Sequence, residues 1–286
     1  MSRNVVIVGG SAAGPKVASK IRRLDPSANI TIVQRGAYLS MASCGYPYYI
    51  GGVFDDRNKL ISTPTGVQRD PTFFSNVKAI RAMVGTEVTA IDRDAKKVKV
   101  RPTDGGTEEE LAYDSLVLTT GAMPVIPKLP GYDLEGITTL QSMEDADTLK
   151  AVAKEKKVTE AVIVGGGLIG IETCEALQLA GIKITVVEML DQVLPFLDWE
   201  LAKLVENHIR SKGSEVLTGT AVAEFLGKDG KIAGVKLADG REISCQLAVV
   251  SVGVRPNSEL ARSAGLKVGE TGGISVSYTH LRAHET

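Results

Sequence analysis

The chain has 286 residues, 43% of them apolar, and carries 33 Lys plus Arg against 34 Asp plus Glu, enough for two domains with their own cores and without the basic block that holds nucleic acid or anionic membrane. Its longest apolar runs are strand-length, well short of the roughly 20 residues of a spanning helix, so no membrane span is expected. The first strand begins by Asn4, which leaves no room for a secretory leader, and a cytoplasmic location follows as an expectation.

Residues 5–14 read VVIVGGSAAG, an apolar strand running into a glycine-rich turn. Residues 12–24 then have helical spacing, with Ala13, Val17, Ile21 and Leu24 on one face, and Asp25, Pro26 and Ser27 end the helix before a second strand at 29–34. Cys44 follows in SMASCGYPYYIGG, just before residues 46–50, which can begin a helix. A helix N-terminus favours a thiolate, so Cys44 is a candidate nucleophile or charge-transfer partner. Three strands at 81–84, 87–92 and 97–101 are expected to form a small antiparallel meander, and 115–118 is a buried strand ending in Thr119, Thr120 and Gly121. The proline-rich piece 123–131 reads as a linker, which puts a domain boundary near Met123.

The opening pattern is then written a second time. Residues 161–170 read AVIVGGGLIG, 168–179 is helical, Gly181 suits a helix C-terminus, and 183–188 is the next strand. In both copies the helix N-terminus carries unpaired amides and partial positive charge, and glycines let a dinucleotide pyrophosphate approach them. The second copy has Gly165, Gly167 and Gly170 in all three positions, and Glu188 stands where a carboxylate can accept from an adenosine ribose 2′-hydroxyl and repel a 2′-phosphate. NADH is therefore expected over NADPH. In the first copy Ser11 replaces the middle glycine and Gln34 stands where the acid would be, so its ribose contact is neutral. Two such sites in one chain suggest hydride passing between flavin and nicotinamide. Beyond the second copy, 200–212 is an amphipathic helix, 215–226 and 231–237 are strands, and 246–252 is an apolar strand that closes the second domain. Cys174 and Cys245 are read as core residues and His208 as exposed; the three cysteines match no zinc spacing, and no metal site is expected.

On SCGYPYYIGG around Cys44, RRLD at 22–25, LTTGAMPVIP, the second glycine turn with GIETCEA, and SVGVRPN at 251–257, the chain closely resembles the pyridine nucleotide-disulfide oxidoreductases. The resemblance is to the single-cysteine branch of coenzyme A-disulfide reductases, NADH oxidases and persulfide reductases. It implies an α/β fold of two Rossmann-like domains, an FAD domain with an inserted NAD domain: 1–122 for FAD, 123–252 for NAD(P)H, and 253–275 returning to the FAD domain. It implies that Gly9, Ser11, Ala12, Ala13, Gly14, Gln34, Arg35, Val88, Thr120 and Gly121 hold FAD, and that Gly165, Gly167, Leu168, Ile169, Gly170, Glu188 and Gly253 serve the nicotinamide cofactor. Cys44 and Glu172 are the implied catalytic residues. In the two-cysteine branch a partner cysteine falls at the position of Tyr49, so Cys44 would cycle through a mixed disulfide, a persulfide or a sulfenic acid.

For a coenzyme A-type substrate the resemblance points to Lys16, Lys20, Arg23, Ser40 and Ser43. Lys20 and Ser43 replace the family's usual glutamine and asparagine, leaving a cationic patch suited to a phosphate-bearing thiol. Residues 276–286 depart from the family pattern and resemble a translated sequencing adapter, and His280 and His284 within them are not read as a metal site. A C-terminal dimerisation domain is accordingly expected to be absent, and the full-length parent to be a homodimer. Three functions stay open: an NADH-dependent reductase of a small-thiol disulfide or persulfide, an NADH oxidase acting on oxygen, and an inactive nucleotide-binding fragment.

Overall fold

The computed structural model describes residues 2–276. The expected foreign tail beyond Val276, with His280 and His284, lies outside the described residues. In chain order, β1 (Asn4–Val8), α1 (Ala13–Leu24) and β2 (Asn29–Val33) are followed by a 3₁₀ turn (Ser43–Gly45), α2 (Tyr46–Ile50) and α3 (Pro71–Lys78). Then come β3 (Ile80–Met83), β4 (Thr86–Asp92), β5 (Lys97–Pro102), β6 (Glu109–Ala112), β7 (Ser115–Leu118), β8 (Ala122–Pro124) and β9 (Ile137–Thr138). The pattern restarts with α4 (Met143–Glu155), β10 (Glu160–Val164), α5 (Leu168–Leu179), β11 (Lys183–Val187) and α6 (Trp199–Ser211). The last elements are β12 (Glu215–Leu217), β13 (Val222–Lys228), β14 (Lys231–Leu237), β15 (Glu242–Ser244), β16 (Leu247–Val250), β17 (Val254–Pro256) and α7 (Glu259–Ser263).

The chain divides into two units, one built from residues up to 42, 58–123 and from 255 on, the other from 43–57 and 124–254. The first contains a parallel sheet in the order β3-β2-β1-β7 and an antiparallel sheet β4-β5-β6. Alternation along β1 explains its layering. Val5 and Ile7 pack with Ala18 of α1 and Phe74 of α3, whereas Val6 and Val8 pack with Val88, Val98 and Val100 of the antiparallel sheet. A strand covered on both faces must be apolar at every position, and VVIV is.

The second unit repeats the plan, with a parallel sheet β12-β11-β10-β16-β9 and an antiparallel sheet β13-β14-β15. Val162 and Val164 pack with Phe225, Val235 and Leu237 of that second antiparallel sheet. Both units are therefore Rossmann-like α/β layers, as the duplicated motif leads one to expect.

Two expectations are corrected. The segment expected as the meander's first strand, 81–84, is instead β3, which pairs in parallel with β2 from Ile30↔Ile80 to Val33↔Met83. The intervening α3 supplies the crossover that parallel pairing needs, and β6, which the sequence reading missed, completes the meander beside β5. The single strand expected at 215–226 is broken into β12 and β13, because Gly219 takes a left-handed φ of +68. The helix expected after Cys44 is present over Tyr46–Ile50, five residues long, and its N-cap is Gly45.

Candidate functional site

In a parallel sheet, ligands bind outside the carboxyl ends of strands where the strand order reverses. In the first unit that point lies between β1 and β7, and in the second between β10 and β16. The residues emerging there are the two glycine turns, the stretch from Thr119 to Gly121, and the stretch from Ser251 to Gly253.

The two turns share their backbone conformation and close approaches. Gly9 and Gly165 have φ of +107 and +108. A Cβ on Gly9 would stand 2.1 Å from the Thr119 carbonyl oxygen, and one on Gly165 2.5 Å from that of Ser251. Gly14 and Gly170 let the helix cross the turn, since a Cβ on either would lie 1.9 or 2.1 Å from the carbonyl oxygen of Gly9 or Gly165. The Thr119 hydroxyl donates to the Val8 and Gly9 carbonyls, as the Ser251 hydroxyl does to those of Val164 and Gly165. Downstream, Ser40 N–H bonds the Gly10 carbonyl at 2.8 Å and Leu194 N–H the Gly166 carbonyl at 2.9 Å. Ser40 and Leu194 both hold a left-handed φ, 53 and 48, that non-glycine residues seldom adopt.

The end of the second strand also corresponds. The Gln34 side-chain oxygen accepts from Gly10 N–H at 2.7 Å. Glu188 accepts from Gly166 N–H at 2.6 Å and from Leu190 N–H at 2.8 Å, and it is buried. Each carboxylate oxygen keeps a further lone pair for a ribose hydroxyl.

Neither the N-cap of α1, Ala12, nor that of α5, Gly167, makes a side-chain capping bond. By contrast Asp70 caps α3 and Ser142 caps α4 with a full capping box. The first amides of α1 and α5 are thus available to an anion. Gly167 adds a second observation: a Cβ there would meet nothing within 4 Å, so the protein itself does not need glycine at this position. These features fit a dinucleotide pyrophosphate at each turn, with Leu168, Ile169 and Gly170 opening α5 and Ser11, Ala12, Ala13 and Gly14 opening α1.

The other residues expected to serve FAD lie in the first unit. The Thr120 hydroxyl donates to the Asn257 carbonyl at 2.6 Å, the Asn257 side-chain amide donates to the Thr120 carbonyl at 2.9 Å, and Asn257 N–H bonds the Gly121 carbonyl. Asn257 therefore fixes the Thr120–Gly121 turn, a role that the SVGVRPN motif signals but that the sequence reading did not assign to it. Val88 is buried on β4 beside an irregularity in the β4–β5 register. Arg35 is exposed, 3.9 Å from Glu87. Lys16, Lys20 and Arg23 are exposed on α1 at helical spacing, and none has an ion pair among the described residues. Their neighbour Arg22 is used structurally, donating to the carbonyls of Lys78 and Ala79 at the end of α3.

The second unit contains Ser43, Cys44, Glu172 and Gly253 with the Gly165 turn. Cys44 is exposed in the 3₁₀ turn and Glu172 is exposed on α5. Gly253 takes φ of +117 at the end of β16, as Gly121 takes +67 at the end of β7. The remaining thiols are buried, and burial pushes Cys174 up to about 11 and Cys245 up to about 12. Cys44 is thus the accessible thiol of the three. Among the described residues no cluster of His, Cys, Asp and Glu could hold a metal ion.

Comparison with known proteins identifies the family. The family described as pyridine nucleotide-disulphide oxidoreductase matches residues 3–282. An NADH oxidase of Methanocaldococcus jannaschii is 34% identical over 270 residues, covering 93% of this chain and 57% of the relative. An NAD(P)H coenzyme A polysulfide/persulfide reductase of Pyrococcus horikoshii is 32% identical over 279 residues, covering 96% and 59%. The structure of an NAD-dependent persulfide reductase from A. fulgidus superposes with a TM-score of 0.90 at 45% identity, covering 94% of this chain and 49% of that one. The chain thus spans about half to three fifths of the length of these relatives. The chain belongs to the pyridine nucleotide-disulphide oxidoreductase family.

Proposed function

We propose that this chain is the dinucleotide-binding part of an NADH-dependent flavoprotein reductase that reduces the disulfide or persulfide of a small thiol through Cys44. The observation that carries the reading is the duplicated pyrophosphate turn together with one exposed thiol and two buried ones. In this reading the first unit holds FAD through the Gly9 turn, Gln34 and the Thr120–Gly121 turn, and the second holds NADH through the Gly165 turn and Glu188. Bound flavin would supply two-electron chemistry, accepting hydride and passing reducing equivalents to sulfur.

The work of the chain's own residues follows from sulfur chemistry. The Cys44 thiolate attacks one sulfur of R–S–S–R′, the S–S bond breaks, and R′S⁻ leaves to take a proton. The resulting Cys44 mixed disulfide needs two electrons and a proton to release RSH and restore the thiolate. NADH supplies the hydride, so the sum is NADH + H⁺ + RSSR′ → NAD⁺ + RSH + R′SH. Lys16, Lys20 and Arg23, exposed on one helix and without an ion pair among the described residues, suit a phosphate-bearing thiol such as a coenzyme A derivative. Glu172 is assigned to the nicotinamide side because it sits on α5, the helix that opens at the nucleotide turn. A cytoplasmic location belongs to the same proposal and is supported by the three free cysteines. Homodimerisation of a full-length protein rests on the family resemblance.

Cys44→Ser separates this reading from the oxidase one. For a disulfide or persulfide reductase, the variant loses NADH-dependent thiol release by at least about a thousandfold, because no other accessible thiol can form the mixed disulfide. Retained thiol release would reject the role of Cys44. The second reading, reduction of oxygen, is favoured by relatives named NADH oxidase. It requires water as product in the native protein and hydrogen peroxide in Cys44→Ser.

A further inference from the structure

The stretch that carries Cys44 is fastened to α4 by a small polar network in which Tyr49 and Lys150 are buried and Asp147 is partly buried. Tyr49, on α2, donates its hydroxyl to Asp147 Oδ1 at 3.0 Å, and Arg57 pairs with Asp147 Oδ2. One carboxylate thereby holds both the middle and the far end of the segment 43–57. Lys150, one turn along α4 and only 6% exposed, pairs with Asp55 at 3.0 Å and lies 5.3 Å from the centre of the Tyr49 ring. The Tyr49 side chain is itself buried, and burial with the Asp147 contact raises its pKa, so the hydroxyl stays a donor. Tyr46 and Ile50 supply the apolar face of the same short helix, and Gly51 admits α5 closely, since a Cβ there would lie 3.3 Å from the Ala176 Cα.

An isolated five-residue helix has no stability of its own. Its conformation, and with it that of the adjoining 3₁₀ turn with Cys44, has to be imposed by what α2 packs against. We infer that Asp147 is a positioning residue for Cys44, acting through Tyr49 and Arg57 to hold the thiol-bearing turn on the unit that contains the Gly165 turn. The position that a second redox cysteine takes in the two-cysteine branch is here the tether point. The importance of Cys44 rests on the reductase reading, whereas the tether itself does not.

The test uses the purified full chain and needs neither flavin, NADH nor acceptor, so its failure is distinct from failure of the reductase reading. Tyr49→Phe keeps the ring over Lys150 and removes only the hydroxyl. Asp147→Asn weakens both links, and Asp147→Glu retains the charge. In Tyr49→Phe and in Asp147→Asn, amide hydrogen exchange across 46–53 should quicken by about fivefold or more while β1 and α1 stay unchanged. The rate of Cys44 carboxamidomethylation by iodoacetamide, followed by peptide mass spectrometry, should depart from native by at least about threefold, in one direction for both. The double variant should go no further than the larger single effect, and Asp147→Glu should return towards native. Unchanged exchange would overturn the tether. Faster exchange with alkylation within about twofold of native, or no recovery in Asp147→Glu, would make the network a support of α2 alone and overturn the positioning role.

Discussion

Glu188 and Gln34 end the second strand of their respective units and accept from the corresponding amide, Gly166 or Gly10, of the glycine turn that follows the first strand. What separates them is charge. The Gln34 amide nitrogen can donate to a ribose oxygen, whereas Glu188 can only accept and repels a phosphate placed on the 2′ position. Glu188→Gln should therefore keep the turn intact, because the first unit shows that a glutamine oxygen bonds the equivalent N–H. Loss of a charged hydrogen bond, worth about 1.5–3 kcal/mol, should weaken NADH by about tenfold or more while NADPH is held equally well or better. Fluorescence titration of both nucleotides checks this; an unchanged NADH-to-NADPH ratio would contradict the assignment of Glu188.

At the scale of the element, the strand–turn–helix unit separates glycines that the fold requires from one that a ligand would require. Gly170→Ala should disrupt packing, since its Cβ falls 2.1 Å from the Gly165 carbonyl oxygen. Core overpacking of that kind costs about 1–3 kcal/mol or more. Gly167→Ala meets open space and should change stability by no more than about 1 kcal/mol, while weakening nucleotide binding at the pyrophosphate by at least about tenfold. Thermal denaturation paired with NADH titration of the two variants distinguishes these cases, and equal destabilisation by both would contradict the distinction.

This element was legible in the sequence because its turn tolerates so little else. Other elements were less so, for identifiable reasons. α3 and α4 were missed although both have N-cap signals, Asp70 with Pro71 and Ser142 with Asp145; α3 is only eight residues long, and α4 mixes charge into its apolar face, including buried Lys150. The strand at β3 was visible but its partner was not, since period-two patterning does not say whether a neighbour runs parallel. Within the site, the bonding of Asn257 to Thr120 and of Asp147 to Tyr49 joins residues far apart in the chain, which no local pattern encodes.

At the scale of the whole molecule, the three cysteines divide by burial into one exposed thiol and two core thiols. The core thiols tie stability to alkaline pH. Their folded pKa values, about 11 for Cys174 and about 12 for Cys245, lie above the ordinary value of 9.0, so the folded state keeps protons that the unfolded chain gives up. Their contribution is whole below pH 9 and falls as pH rises from 9 through the folded values. Thermal stability should therefore drop between pH 9 and 11, and Cys174→Ala with Cys245→Ala should shallow that drop. An equally steep alkaline loss in the double variant would assign it to other groups.

Passage of hydride between the two proposed dinucleotide sites is read by an anaerobic absorbance titration of the purified chain with NADH. The expected result is a protein that takes up FAD, shows its visible bands, and bleaches as NADH is added, with NADPH less effective. A chain that binds no flavin, or that binds flavin which NADH leaves oxidised, would contradict it and favour the reading of a nucleotide-binding fragment without turnover.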